Sequence, residues 1–524
     1  MGLKPYFGLR GNALVRAAVW LVVYPCFTCY GYNMSVAGGL LTLDSFNAQF
    51  PRMDTIHTVG ALNKENSQLQ GTVIALYTVG GIFGSLSCIY LGDLWGRRKV
   101  IFITSFISII GAILMATSFD FAQFIVARLV LGLGVGGCIA TVPVWQSEIS
   151  PADKRGSSVV TDGIFLGVGV TLALWIELGF YFVKDNSVSW RFPLAFQIVM
   201  SATALIFITS MPESPRWLIK TGQVEEGRRV LAALLNVDED SGIINDNVLS
   251  IETSLAQCSG SWTKLFKNGK QRLFHRAYLA ATGQMFQQMC GVNLITYYAT
   301  TIFEQYLGMD AVRSRVLAAA MTLMQCLGGY LAYYTIDRLG RRPLMLWSAG
   351  AMTVCMAGLA GTTSPSAANN TGALAMAVVF LYVFQFIFTV GFSGLTFLYA
   401  AEMAPLEVRA AVNAISTATV WSFTFLIAQV TPVGFSTIGN RYYIIFAVIN
   451  AVIVPSVYFF FPETKGRSLE EIDEIFAQSK TIFDPPRVAR AMQRQLRSGN
   501  KSHPEGGDVT SSDEDVSEEV KVKE

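Results

Sequence analysis

An amide-rich stretch in the second half of the 524-residue chain is where residue types and spacing could first do chemistry. Gln287-Gln288-x-x-Gly291-x-Asn293-x-x-x-Tyr297-Tyr298 sets amides and phenols at helical spacing inside an apolar run. An amide offers both donors and acceptors, which suits a ligand rich in hydroxyl groups. Buried without compensation it costs about 1–3 kcal/mol. Such groups either touch a ligand or bond one helix to another. Asp162 is the second such place, a carboxyl about two helical turns into another apolar run. A charge there is expensive and marks function by default. It reads either as a proton site or as the static partner of a buried cation such as Arg128. Glu177, near the outer end of the same run, reads as a rim residue facing water.

Charged residues between the apolar runs recur as a duplicated set. Gly92-Asp93-Leu94-Trp95-Gly96-Arg97-Arg98-Lys99 is echoed by Asp337-Arg338-Leu339-Gly340-Arg341-Arg342. Glu148-x-x-Pro151-x-x-x-Arg155 is echoed by Glu402-x-x-Pro405-x-x-x-Arg409. Pro212-Glu213-Ser214-Pro215-Arg216 is echoed by Pro462-Glu463-Thr464-Lys465-Gly466-Arg467. Their offsets are 244, 254 and 250 residues. Carboxylates and arginines at matching depths can pair as latches of a cytoplasmic gate. A surface pair contributes roughly 0–1 kcal/mol, so only a network could bias a conformational equilibrium. Positive-inside anchoring without gating is the competing reading. A duplicated membrane half with such latches is the architecture of a transporter.

Other chemistries are poorly served. His57, His275 and His503 lie outside the apolar runs, and no metal-ligand spacing is present. Seven of the eight cysteines fall inside apolar runs and read as small buried hydrophobes, with Cys258 in the charged middle segment. No glycine loop with a lysine and Ser/Thr could cradle a phosphate. No nucleophile, base and metal set converges, so neither an enzyme nor a cofactor is expected. The net charge of +2 and the lack of a basic aromatic-rich module point to no nucleic-acid partner.

The elements that must position these residues are membrane helices. Hydrophobic residues make up 52 % of the chain and charged residues 15 %, against roughly 25 % charged in soluble proteins. Mean hydropathy is +0.43. Apolar stretches long enough to cross a ~30 Å hydrocarbon core recur about twelve times. They lie near 16–41, 70–91, 100–117, 121–145, 158–182, 192–211, 277–303, 314–336, 343–361, 373–400, 410–432 and 441–461. Two six-helix bundles, 16–211 and 277–461, are thus expected. The clustered arginines all fall on one side of the membrane, which the positive-inside bias makes cytoplasmic. The N-terminus (1–15), the linker 212–276 and the tail 462–524 fall on that side too. The linker carries amphipathic spacing over Glu225–Leu235, and Ser468 reads as the cap of a short helix. Beyond about residue 480 the tail reads as disordered. Its serines could be phosphorylated, although a solubilising tail is the simpler reading. Asn369-Asn370-Thr371 is a candidate glycosylation acceptor in an outside loop, or an unused sequon.

The repeated loops resemble the signatures of the major facilitator superfamily, and specifically of its sugar porter family, over roughly residues 15–475. Pro212-Glu213-Ser214-Pro215-Arg216-Trp217-Leu218 and Phe461-Pro462-Glu463-Thr464-Lys465-Gly466 resemble that family's two half-ends. Gly394-Leu395-Thr396-Phe397-Leu398-Tyr399-Ala400-Ala401-Glu402 and Trp190-Arg191-Phe192-Pro193 look like fungal monosaccharide and polyol transporters. The resemblance implies an all-α membrane protein of about twelve transmembrane helices in two pseudo-symmetric bundles, with short cytoplasmic helices. It implies a small-molecule substrate and no cofactor.

The resemblance also assigns site positions. Gln287, Gln288 and Asn293 match sugar-binding positions, with Tyr297 and Tyr298 beside them. Trp421 resembles a sugar-stacking tryptophan, and Gln325 stands where an asparagine is usual. Gly163, Phe397 and Val420 stand for a glutamine, a tryptophan and an asparagine, so a standard hexose is in doubt and a more permissive site is expected. Leu94 replaces a basic residue and leaves the first latch a charge short. Gly31-Tyr32-Asn33 departs from the Gly-Tyr-Asp of proton-coupled members, where the aspartate is thought to work with the arginine that matches Arg128. Animal glucose facilitators share this asparagine. A facilitator and a proton symporter using Asp162 both remain open. A carrier of a sugar, polyol or related metabolite is the leading reading. A carrier of a specialised metabolite or organic acid, and a nutrient sensor, are the alternatives. The plasma membrane is the expected location.

Overall fold

The computed structural model describes residues 5–150, 155–183, 186–257, 269, 271–365, 370–404, 408–467 and 469–492. Among them there is no strand. Ten helices are long and apolar enough to cross a membrane. One of these, Val412–Phe460, makes two passes, because the chain turns at Gly439–Arg441. A further pass, over 273–306, is broken into short pieces. Twelve crossings result, as the apolar runs predict.

The first half comprises span 1 (Gly11–Leu40), span 2 (Gly60–Trp95), span 3 (Arg97–Ala116), span 4 (Phe121–Ile149), span 5 (Arg155–Tyr181) and span 6 (Val188–Ile208). Span 2 begins ten residues before the apolar run, because its polar first turns carry the preceding loop. Asn66 donates to the carbonyls of Pro51 and Asp54, and Gln70 to that of Met53.

Three short helices follow: Pro215–Lys220, Val224–Leu235 and Gly242–Gln257. The amphipathic stretch is thus a helix, as expected. Its Val230, Ala233 and Leu234 pack into the main core, while Leu231 and Ala232 join Ile219, Ile244 and Val248 in a small separate one.

The second half repeats the plan with span 8 (Ala311–Leu339), span 9 (Arg341–Thr362), span 11 (Arg409–Ile438) and span 12 (Tyr442–Phe460). Span 10 runs as Thr371–Phe388, a π-turn at Thr389–Ser393, and Leu395–Met403. Span 7 is not the continuous helix that its spacing predicts. It consists of Leu273–Met289, Val292–Tyr297, Ala299–Thr301 and Ile302–Tyr306. Gly291 makes the break at φ +104°, a conformation glycine adopts without a side-chain clash. Asn450 of span 12 donates to the freed carbonyl of Cys290 at 2.8 Å, which satisfies the broken backbone inside the membrane.

Order runs past the limit expected near residue 480. Phe483 packs on the Phe460 ring with centroids 4.9 Å apart, and residues 485–492 are helical. Ser468, Cys258, Asn369 and the acidic tail lie outside the described residues.

Candidate functional site

At the face carrying the arginine loops, two carboxylates close the starts of two helices. Span 3 begins directly after Gly96, so its first N–H groups lack intrahelical acceptors. Glu213 supplies them: its Oε1 accepts from the N–H of Arg97 at 3.0 Å, of Arg98 at 3.1 Å and of Ser214 at 2.9 Å. Span 9 begins after Gly340 in the same way. Glu463 accepts from the N–H of Arg341, Arg342, Thr464 and Lys465, each at 3.0 Å. The two glycines are at φ +84° and +99°. A β-carbon on either would fall 2.7 Å from its glutamate Oε2. The duplicated Gly-Arg-Arg and Pro-Glu motifs are thus two parts of one anion-capped helix start. Burial pushes the Glu213 carboxyl above its usual range, and the N–H donors of Ser214, Arg98 and Arg97 pull it part of the way back.

The side chains complete each clasp. Arg97 reaches Glu148 at 3.1 Å and Asp93 at 3.3 Å. Arg341 reaches Glu402 at 2.8 Å and Asp337 at 3.0 Å, and the Thr464 hydroxyl donates to Glu402 at 2.6 Å. Each of these bonds joins elements of one half. The expected charge deficit at Leu94 is made up from elsewhere: Lys220 of the first short helix pairs with Asp93 at 2.9 Å. Arg98 donates to the Met211 carbonyl at 3.4 Å, and Arg342 to that of Tyr458 at 2.6 Å. Arg216 lies in the first short helix and Arg338 at the end of span 8. The side chains of Arg155 and Arg409 lie outside the described ones.

Deep between the halves lies a second polar group. Gln287 donates to the carbonyls of Ser393 at 2.7 Å and Phe392 at 3.2 Å, inside the π-turn of span 10. Gln288 donates to Gln287 Oε1 at 3.1 Å. Its own Oε1 accepts from Asn293 at 2.6 Å and from Thr424 of span 11 at 3.1 Å. Trp421 is 1 % exposed and caged by the first half. Tyr30 and Tyr77 stand edge-on to it, 5.4 and 5.8 Å away. The Tyr77 hydroxyl, the Tyr297 hydroxyl and the Trp421 indole N–H have no partner. Tyr298 donates to the Ala428 carbonyl at 3.0 Å. Arg128 is fully buried beneath, bonded to the Ile74 carbonyl at 2.8 Å and facing the Tyr77 ring. Hydroxyl, amide and indole groups beside aromatic faces have the chemistry to bind a small hydroxylated molecule.

The comparisons with known proteins agree with this geometry. The family model described as "Sugar (and other) transporter" matches residues 19–476. The chain belongs to the sugar (and other) transporter family. Its fold is that of the major facilitator superfamily. Among curated members, Sugar transporter STL1 of Saccharomyces cerevisiae is 33 % identical over 93 % of this chain and 86 % of its own length. MFS-type transporter oryC of Aspergillus oryzae is 33 % identical over 93 % and 90 %. Low-affinity glucose transporter HXT3 of Saccharomyces cerevisiae is 30 % identical over 83 % and 79 %. Among solved structures, the proton:xylose symporter XylE bound to 6-bromo-6-deoxy-D-glucose superposes with a TM-score of 0.74. That match has 22 % identity and covers 89 % of this chain and all of the other. The chain is therefore a multi-pass membrane transporter, not an enzyme.

Within this sugar transporter family member the structure rearranges several expectations. Asn33 makes no hydrogen bond to Arg128; it donates to the Cys29 carbonyl at 2.9 Å, one turn back on span 1. Asp162 does not neutralise Arg128 either. It is 4 % exposed, neither carboxyl oxygen has a partner, and Gln146 of span 4 lies beside it. Glu177 is 6 % exposed rather than at a wet rim, because span 1 covers it. Gly163 packs against span 10: an added β-carbon would lie 3.3 Å from the Gly394 backbone. Gln325 is occupied by Gln385 of span 10, which donates to it at 3.1 Å. Phe397 is half-buried, and Val420 is buried one residue before Trp421. Sequence reasoning missed Thr424, Gln385 and Gln146. The two glutamines are lone amides in apolar runs, a signal that could have found them.

Proposed function

We propose that the protein moves a sugar, polyol or related small metabolite across a membrane by alternating access, with Gln287, Gln288, Asn293, Tyr297, Tyr298 and Trp421 contributing to the substrate site. One observation supports this most: unpartnered hydroxyl and indole groups of both halves converge beside the Gln288–Asn293–Thr424 network. The names of the relatives, sugar transporters among them, support the substrate class. The positive-inside bias supports a cytoplasmic arginine face with both termini on that side; the plasma membrane is the location we infer. The test is radiolabelled uptake in a yeast lacking its own sugar transporters, screened over hexoses, pentoses, polyols and organic acids. Saturable uptake of at least one sugar or polyol is expected. Uptake of none would turn the reading to a specialised metabolite.

Proton coupling is part of the proposal, with Asp162 as acceptor. A buried carboxyl that no described cation neutralises supports it. A facilitator is the competing reading, supported by Asn33, which cannot titrate. Uptake indifferent to a pH jump and to an uncoupler would decide for the facilitator. Loss of accumulation in Asp162→Asn would decide for symport.

A further inference from the structure

Span 5 carries a second buried carboxyl, on the face opposite the arginine loops. Neither oxygen of Glu177 has a hydrogen-bond partner. The side chain leans on span 1, where a β-carbon at Gly39 would fall 1.8 Å from its Oε2. Titratable and charged groups face it from its neighbours. Tyr32 of span 1 is one, but its hydroxyl donates to the Pro193 carbonyl at 2.7 Å. Arg315 of span 8, in the other half, is the cation whose charge reaches it. Arg191 of span 6 turns away, bonded to the carbonyls of Ala116 and Ser118 at 3.1 Å.

Arg315 is itself a strap between the halves. Its Nη2 donates to the Thr42 hydroxyl at 2.6 Å and the Thr42 carbonyl at 3.2 Å, just past span 1. Its Nη1 donates to Glu304 at 3.2 Å, at the far end of span 7 and near Asp44, and to the Ala311 carbonyl at 3.1 Å. Its guanidinium lies 3.9 Å from the ring centre of Tyr181, one turn beyond Glu177. None of these bonds goes to Glu177. With Arg315 bonded to Thr42, an ionised Glu177 would be a buried charge without a hydrogen bond, which is the costly case. A protonated Glu177 is neutral and can be buried. Opening the far face must pull Thr42 and Tyr181 from Arg315 and admit water to Glu177.

We propose that Glu177 is a proton site of the transport cycle, taking a proton from the far side while that face is open, so that Arg315 straps onto Thr42 only once the carboxyl is neutral. The proposal rests on alternating access but not on the role of Asp162. The proton adds as O–H on the carboxyl and leaves by the same group. Asp162 lies about 22 Å away along the same helix, so the two carboxyls stand toward opposite ends of the span.

The test reads the far face directly, without a transported solute. Thr300 of span 7 is 2 % exposed in a segment that touches spans 1 and 8. Thr300→Cys in the full chain, expressed in intact cells, is labelled with a membrane-impermeant maleimide at external values from about pH 5 to about pH 8. The parent chain sets the background, and the exposed position Ser436→Cys corrects for thiol ionisation. Labelling is expected to rise with pH, by at most about tenfold per unit for one linked proton. Adding Glu177→Gln should hold labelling at its low-pH level throughout, and adding Thr42→Val should raise it at every pH. Glu177→Asp keeps a carboxyl and should keep the pH profile, which guards against a glutamine variant that fails to fold. An unchanged profile in Glu177→Gln overturns the proposal, and so does a flat profile in Thr300→Cys alone or with Glu177→Asp added. Failure of the solute screen leaves this readout untouched, so the two readings fail separately.

Discussion

Asn293 donates to Gln288 at 2.6 Å across the break in span 7. The break matters because it turns one continuous helix into two ends that face each other with side-chain amides. The amides are already bonded to one another and to Thr424. A ligand therefore joins or replaces an existing network, and binding is a matter of exchange.

Gln288→Ala removes the acceptor shared by Asn293 and Thr424. The buried Asn293 amide loses its partner, at about 1–3 kcal/mol, while the Thr424 hydroxyl keeps the Val420 carbonyl at 2.8 Å. The apparent KM for the best solute in the uptake screen should rise roughly tenfold or more. Unchanged KM would place the ligand elsewhere.

Gly163→Gln restores the amide that the family resemblance places there. The structure gives it no room, since Gly394 of the other half lies against that position. The variant should lose transport rate without gaining hexose selectivity, measured as initial uptake of paired hexoses. A gain of glucose preference at full rate would show that the contact opens easily.

Leu94→Arg restores the basic residue expected in the first latch. Asp93 already has Arg97 and Lys220. The substitution should leave the melting temperature of the purified protein unchanged. Lys220→Met should lower it slightly, because the pair is about half exposed and contributes at most about 1 kcal/mol.

Glu213→Gln weakens the acceptor for the start of span 3. The folded carboxyl titrates above its ordinary range because of burial. A raised folded value means stability fully present below the unfolded glutamate value and lost as pH rises through the folded one. The melting deficit of Glu213→Gln should therefore be larger near about pH 4 than near about pH 8. The reverse order would mean that the N–H donors outweigh burial.

The spans and the duplicated loops were legible because both are written locally, as long apolar runs and as short motifs at a fixed offset. Glu213 and Arg97 could be listed together from their repeat, but not that the carboxylate would choose the backbone N–H over the guanidinium. That choice depends on a helix starting there. The break at Gly291 left one glycine as its trace, in a run apolar enough to read as unbroken. Asn33 and Arg128 could be placed opposite each other only by analogy, and each found backbone carbonyls nearer than the other. Glu177 read as exposed because its position near a helix end was visible, whereas the glycine of span 1 that covers it is remote in sequence.

The Glu213 and Glu463 clasps have a thermodynamic consequence for the working cycle. Each fastens the end of a half to the start of one of that half's own helices. Whatever free energy they hold is thus present in every state in which the halves stay intact, and it cancels from the balance between access to one side and to the other. That balance is set by the contacts that cross the seam, among them Arg315 with Thr42, Gln429 with Thr72, Trp421 within its aromatic cage, and Gly163 against Gly394. Substitutions at the clasps should change how much folded transporter a membrane holds, and substitutions at the seam should change which way it faces.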